Sequence, residues 1–168
     1  MRVLIAGVGN VLRGDDGFGV EVLHRLEHEI GGEAGVTFYE SGIAGIGLVQ
    51  QLLDGYDALI ILDAFDHGAV PGTIFVQEPD VHALAAPGRT CEPVDLHQAD
   101  PEAVLRLAAA LGALPHRVWV VGCQAAACDE WGAGLSEPAR RAVPTALGQV
   151  HSLLKTMRAA ARETNGSV

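Results

Sequence analysis

Val3-Leu4-Ile5-Ala6-Gly7-Val8-Gly9-Asn10, followed closely by Arg13-Gly14-Asp15-Asp16-Gly17-Phe18-Gly19, opens the chain and sets its architecture. An apolar, β-branched run that closes on spaced glycines is how a buried parallel strand passes into a loop at the rim of an α/β sheet. The residues after the glycines decide what that loop can hold. A dinucleotide fingerprint requires Gly at the third position after Gly9, and Leu12 stands there. A phosphate loop requires Gly-Lys-Ser/Thr, and the segment contains no lysine. Two adjacent carboxylates repel phosphate and suit a cation. The loop therefore reads as a holder of a metal or a proton, not of a nucleotide.

Working outward, strand-like and helix-like patterns alternate. Strands are predicted at Arg2–Gly7, Val36–Glu40, Ala58–Asp63, Thr73–Gln77 and Arg117–Gly122, each short and apolar in the manner of strands buried on both faces. A helix from Gly17 to Ile30 carries Val22, Leu23, Leu26 and Ile30 on one stripe, with Glu21, His24, Glu27 and His28 opposite. A shorter helix covers Gly47 to Leu53. Asp100-Pro101-Glu102 combines a side-chain cap, a first-turn proline and an acid at the positive helix end. That helix turns Val104, Leu105, Ala108 and Leu111 inward and ends at Gly112. Pro138 to Ala161 is a long Ala-rich helix, expected to break or restart near Pro144. The alternation predicts one α/β domain over residues 1–161, a three-layer sandwich whose mostly parallel sheet of about five strands has helices on both faces. Arg162 to Val168 is a polar tail expected to fray. Pro79 to Gln98 has no clear period, and irregular loops of that length in a compact domain are usually functional.

Bulk properties narrow the function classes. A chain of 168 residues forms a single substantial core. With 49% hydrophobic and 19% charged residues, it is globular in composition. The net charge of −10, without a basic cluster, argues against nucleic acid and anionic membrane surfaces as partners. No apolar run is long enough to span a bilayer. The N-terminus enters a strand at once, without a charged n-region and apolar h-region, and three cysteines (Cys91, Cys123, Cys128) are too few for a disulfide framework. These features predict a reduced, cytoplasmic protein.

Ligands of open α/β sheets bind beyond the carboxyl ends of the strands. Asp15 and Asp16 follow the first strand, Asp63 closes Leu59-Ile60-Ile61-Leu62, and His97 precedes the Asp100 cap. A carboxylate ending an aliphatic run is expensive unless it is paired, hydrogen-bonded or metal-bound, although it can equally cap the turn through Ala64-Phe65-Asp66. One of Asp15 and Asp16 can cap the following helix, which leaves a spare carboxylate. His97 alone is one of seven histidines, and the other six lie on helix faces or turns where a solvated role is the default. Together, two carboxylates and one imidazole make a three-ligand site with coordination positions open to water or substrate. Oxygen and nitrogen ligands suit Zn, Ni, Mn or Fe. Cys123 and Cys128 lack zinc-knuckle spacing, a Cys91–His97 nucleophile pair has no supporting signature, and no Gly-x-Ser-x-Gly elbow is present.

Gly7-x-Gly9-Asn10-x-x-x-Gly14-Asp15-Asp16-Gly17-x-Gly19 resembles the opening of the [NiFe]-hydrogenase maturation endopeptidases. The similarity continues through Ser41-Gly42-Ile43-Ala44-Gly45, Ile60-Ile61-Leu62-Asp63-Ala64, Pro71-Gly72-Thr73-Ile74 and Leu96-His97-Gln98, and covers residues 1–155 in order. The resemblance implies an α/β protein with a twisted sheet between helices. It implies a protease that removes the C-terminal extension of a nickel-loaded hydrogenase large-subunit precursor, with the precursor as partner. Nickel supplied by that substrate serves as the recognition signal, and no organic cofactor is needed. It maps the family's metal-contacting and catalytic trio onto Asp16, Asp63 and His97, and substrate binding onto Gly42 and Gly45. The chain departs from the family at three places: Asp16 where some relatives have Glu, an acidic segment around His97, and Cys123-Gln124-Ala125-Ala126-Ala127-Cys128 after the last strand. Two rival readings remain, a nucleotide-binding α/β enzyme and a non-catalytic module that recognises a metalloprotein. The missing third glycine counts against the first, and the complete trio against the second.

Overall fold

The computed structural model describes residues 1–43, 45–84, 101–126, 131–132 and 134–165. All five predicted strands are present: β1 (Val3–Val8), β2 (Val36–Gly42), β3 (Ala58–Phe65), β4 (Ile74–Gln77) and β5 (Arg117–Gln124). They form one sheet in the order β2-β1-β3-β5-β4, parallel except for the antiparallel pairing of β4 with β5. The helices are α1 (Phe18–Ile30), α2 (Gly45–Leu52), α3 (Val81–Leu84), α4 (Pro101–Ala110) and α5 (Glu137–Asn165).

The period-two geometry of a strand divides the core between the two sheet faces. Val3 and Ile5 of β1 and Ile60 and Leu62 of β3 pack with Phe18, Val22 and Leu26 of α1 and with Val143, Val150 and Leu154 of α5. Leu4, Ala6, Leu59 and Ile61 go to the other face, against Leu48 and Leu52 of α2 and Val104 and Leu105 of α4. The result is the predicted three-layer sandwich. β1 and β3 are central and buried along their apolar lengths, whereas β2 and β4 lie at the sheet edges and are mostly half-buried or exposed. The expectation that every strand is buried on both faces therefore fails at the edges, where a strand has a neighbour on one side alone.

Other boundaries shift for local reasons. β3 runs past Asp63 to Phe65 because Ala64 and Phe65 still pair with Cys123 and Gln124 of β5. α5 is continuous through Pro144. Pro144 is exposed, so the backbone bond it cannot donate falls on the solvent side, while Ala139, Ala142, Val143, Ala146, Val150, Leu154 and Met157 carry an unbroken buried stripe. The helix also continues through Asn165, beyond the Arg162 at which fraying was expected. Leu111 is 54% exposed rather than turned inward, because α4 ends at Ala110. Within the irregular segment after Pro79, Val81–Leu84 form a helical turn whose start is capped by Asp80 Oδ1, which accepts from the backbone N–H groups of His82 and Ala83.

Candidate active site

At the carboxyl end of the sheet lies a cleft of about 600 Å³. It is bordered by the loops that leave β1, β2 and β3 and by Pro101 at the start of α4. That volume suits a segment of peptide or a small ligand. Its polar lining is Asn10, Arg13, Asp16, Asp63, Asp66 and His67.

Asp16 is delivered by the loop after β1. Its Oδ2 accepts the backbone N–H of Asn10 at 2.9 Å, and Asn10 Oδ1 in turn accepts the N–H of Leu12 at 3.0 Å. The backbone reaches this closure through Gly9, whose φ of 119° is disfavoured for any residue with a Cβ. A Cβ at Gly9 would also overlap the carbonyl oxygen of Asp16. Gly9 is thus what lets the loop fold back on itself and present Asp16 to the cleft.

Asp63 is 5% exposed and reaches the same cleft from within β3. Its Oδ1 accepts the N–H of Ala64 at 2.8 Å. The two carboxylates, far apart in sequence, therefore line one space, and their oxygens are of the type that holds a hard or borderline cation. Among the described residues, no three His, Cys, Asp or Glu side chains are grouped to bind a metal. His97, the third member of the predicted trio, lies outside the described residues, as do Cys91, Cys128 and the Asp100 cap.

Asp15 takes a different part from its neighbour. The sequence offers Asp15 or Asp16 as the cap of α1, yet neither side chain caps that helix, whose N-cap position is Gly17. Asp15 is buried, at 1% exposure, and spans the molecule instead. Its carboxylate accepts from the N–H of Ala126 at 2.7 Å, and from the N–H and Oγ of Ser136 at 2.7 and 2.8 Å. The loop after β1 is thereby pinned to the exit of β5 and the start of α5.

A second clamp holds the loop after β3. Gln124, 3% exposed at the end of β5, accepts from the backbone N–H groups of His67 and Ala69 at 2.9 and 3.1 Å. Its Nε2 donates to Asp66 Oδ1 at 3.1 Å and to the Ala125 carbonyl at 3.0 Å. The Gln124 hydrogen bond, helped by the N–H of Gly68, holds the Asp66 carboxyl below its ordinary value. Sequence reasoning missed Arg13, Asp66, His67 and Gln124. The signal for Gln124 was present: it closes Val118-Trp119-Val120-Val121 as Asp63 closes its own aliphatic run, and the same burial cost applies.

The two glycines assigned to substrate shape the wall from behind. The carbonyl of Gly42 accepts the N–H of Gly9 at 3.1 Å. Gly45 is buried at the start of α2, where a Cβ would run into Val104. Ile43, between them in sequence and 55% exposed, is the residue of that loop that lines the cleft.

Residues 20–153 match the family model of hydrogenase maturation proteases. The chain belongs to that family. The protease is 34% identical to the hydrogenase expression/formation protein HupD of Rhizobium leguminosarum bv. viciae, over 92% of this chain and 75% of the relative. It is 38% identical to HupM of Azotobacter chroococcum, over 87% of this chain and 68% of the relative. Its fold superposes on the hydrogenase maturating endopeptidase HybD of E. coli with a TM-score of 0.75 at 28% identity, covering 94% of each chain. A hydrogenase 2 maturation peptidase from Thaumarchaeota archaeon SCGC_AB-539-E09 superposes at 0.70 with 31% identity, over 92% of this chain and 98% of that one. The protease is accordingly a peptidase of hydrogenase maturation, which sets aside the nucleotide-binding alternative. No described helix of the protease is long and apolar enough to cross a membrane.

Proposed function

We propose that this chain removes the C-terminal extension of a [NiFe]-hydrogenase large-subunit precursor in the cytoplasm, and that Asp16, Asp63 and His97 engage the nickel which the precursor carries. The observation that supports this most directly is the convergence of Asp16, from the loop after β1, and Asp63, from β3, on one cleft. Pro101, four positions after His97 in the sequence, lines the same cleft. A site with two carboxylates and an imidazole gains its cation when the substrate presents one, so the metal both selects the mature precursor and completes the site. Nickel held by Asp16, Asp63 and His97 would supply Lewis acidity toward the scissile carbonyl or an attacking water. The oxygen of water adds to the carbonyl carbon, the C–N bond breaks, and the proton from water goes to the leaving amine.

The test is a cleavage assay on nickel-loaded and nickel-free precursor, read by mass spectrometry of the released peptide. Cleavage is expected with the loaded form alone. Asp16→Asn keeps the shape of the side chain but removes the charge that attracts the cation, and should slow processing by about a hundredfold or more. Equal cleavage of the two precursors would overturn nickel recognition while leaving the protease assignment in place.

A further inference from the structure

Beside the two carboxylates, the cleft wall carries a feature that metal recognition does not use. The His67 ring lies stacked on Phe65, with centroids 5.1 Å apart and planes at 23°, and meets the edge of Phe75 at 5.6 Å and 79°. Phe65 ends β3, Phe75 lies on the edge strand β4, and β5 runs between them. Room for the Phe65 ring exists because position 122 of β5 is glycine: a Cβ there would overlap the ring. The chain has four phenylalanines, and two of them stand half-buried in this stack rather than in the core.

His67 is exposed, yet it is fixed from three directions. Gln124 holds its backbone N–H, and the two rings hold its imidazole. Among the described residues no hydrogen bond engages its ring nitrogens. An exposed side chain ordered in this way, with its polar atoms open, is the arrangement expected of a preorganised contact. Among the described residues His67 joins no group of three that could hold a metal with the cleft's carboxylates. Phe65 and His67 line the same cleft as Asp16 and Asp63, so these two rings are open to a ligand there, and Phe75 supports His67 from outside the cleft lining.

We propose that Phe65, His67 and Phe75 form a substrate subsite, an aromatic ledge on which a planar or aliphatic side chain of the precursor segment at the scissile bond stacks while the His67 imidazole hydrogen-bonds the bound segment. The occupant rests on the proposed function, because a peptide in the cleft is what brings a side chain to the ledge. His67 is then a specificity-determining residue, and Gln124 is the positioning residue that acts through it.

The experiment measures the Kd for full-length nickel-loaded large-subunit precursor together with KM and kcat for its cleavage. His67→Ala should weaken binding and raise KM about tenfold, with kcat within about twofold of the parent. His67→Phe, which keeps the stack and loses the nitrogens, should recover part of that loss. Neither variant should change the thermal midpoint, because His67 is exposed, or the nickel affinity of the free protein, because its imidazole is not one of the three groups proposed to engage the ion. Unchanged Kd and KM in His67→Ala would overturn the ledge, as would a loss confined to nickel affinity. A His67 effect on binding in an enzyme that cuts nickel-free precursor equally well would support the ledge and overturn the nickel mechanism. Failure of the parent chain to bind the precursor would overturn both.

Discussion

Asp66 illustrates how one side chain can set the acid limb of stability at this site. Its carboxyl is held below the ordinary value of 3.8, first by the Gln124 amide and then by the Gly68 N–H. A carboxyl depressed by folding stabilises the folded state above the unfolded value, and that contribution is lost as pH falls through the folded value. The loss therefore lies on the acid side, below about pH 4. Removing the donor with Gln124→Leu should move the Asp66 titration back toward 3.8, read by carbon-13 NMR of the carboxyl group. Urea denaturation of the same variant should show a smaller stability loss on going from neutral to acid pH. An unmoved titration would assign the shift to the Gly68 N–H and the His67 charge instead. Residues of this kind are hard to read from sequence. Asp63 is legible because a carboxylate at the end of an apolar run is costly wherever the chain goes next, and Asp16 because one helix cap does not need two adjacent acids. Asp66, His67 and Gln124 acquire their meaning from the pairing of β3 with β5, which brings residues 65 and 124 side by side. Nothing local announces Asp66 or His67, and for Gln124 the burial cost of a polar residue ending β5 is the one local sign.

Among the elements, the two ends of α5 differ in what holds them. Its start is joined to the loop after β1 by Asp15, through two backbone donors and one hydroxyl. Asp15→Ala would leave the part-buried donors of Ala126 and Ser136 without their acceptor. With charge-assisted bonds of this type lost, the variant should be destabilised by about 3 kcal/mol in urea denaturation. A loss within experimental error would show that water replaces the carboxylate. Pro144 offers the opposite case. It sits in the interior of the helix on the exposed side, where proline costs up to about 3 kcal/mol relative to alanine. Pro144→Ala should therefore raise the thermal midpoint and leave precursor cleavage unchanged; a lowered midpoint would mean that the ring makes a favourable contact of its own. The expected break at Pro144 did not form because local propensity lost to an apolar stripe that continues on both sides of it. Element order, by contrast, was legible, since the alternation of short apolar runs with amphipathic segments survives any error of two residues at a boundary.

For the whole molecule, the topology explains why Asp16 and Asp63 line one cleft. β1 is flanked by β2 on one side and β3 on the other, so the chain leaves β1 and β3 around a point where the winding direction reverses. Parallel order and a carboxyl-end site followed from the sequence pattern, whereas the antiparallel edge strand β4 carries no such mark, because a four-residue apolar run reads alike in either direction. The two polar clamps have a dynamic consequence. Asp15 ties one wall of the cleft to α5, and Gln124 ties the other to β5, so neither wall can open by a local excursion of its own loop. Loops that close an active site commonly exchange their amide hydrogens through low-energy openings, far below the global unfolding free energy. Here the amides of His67, Ala69, Ala126 and Ser136 donate to buried acceptors anchored in distant elements. They should exchange with deuterium nearly as slowly as the central amides of β3, joining the last cooperative unit to unfold, while the exposed turn at Gly55 exchanges fast. These two walls would then be a rigid mould that selects among substrate conformations.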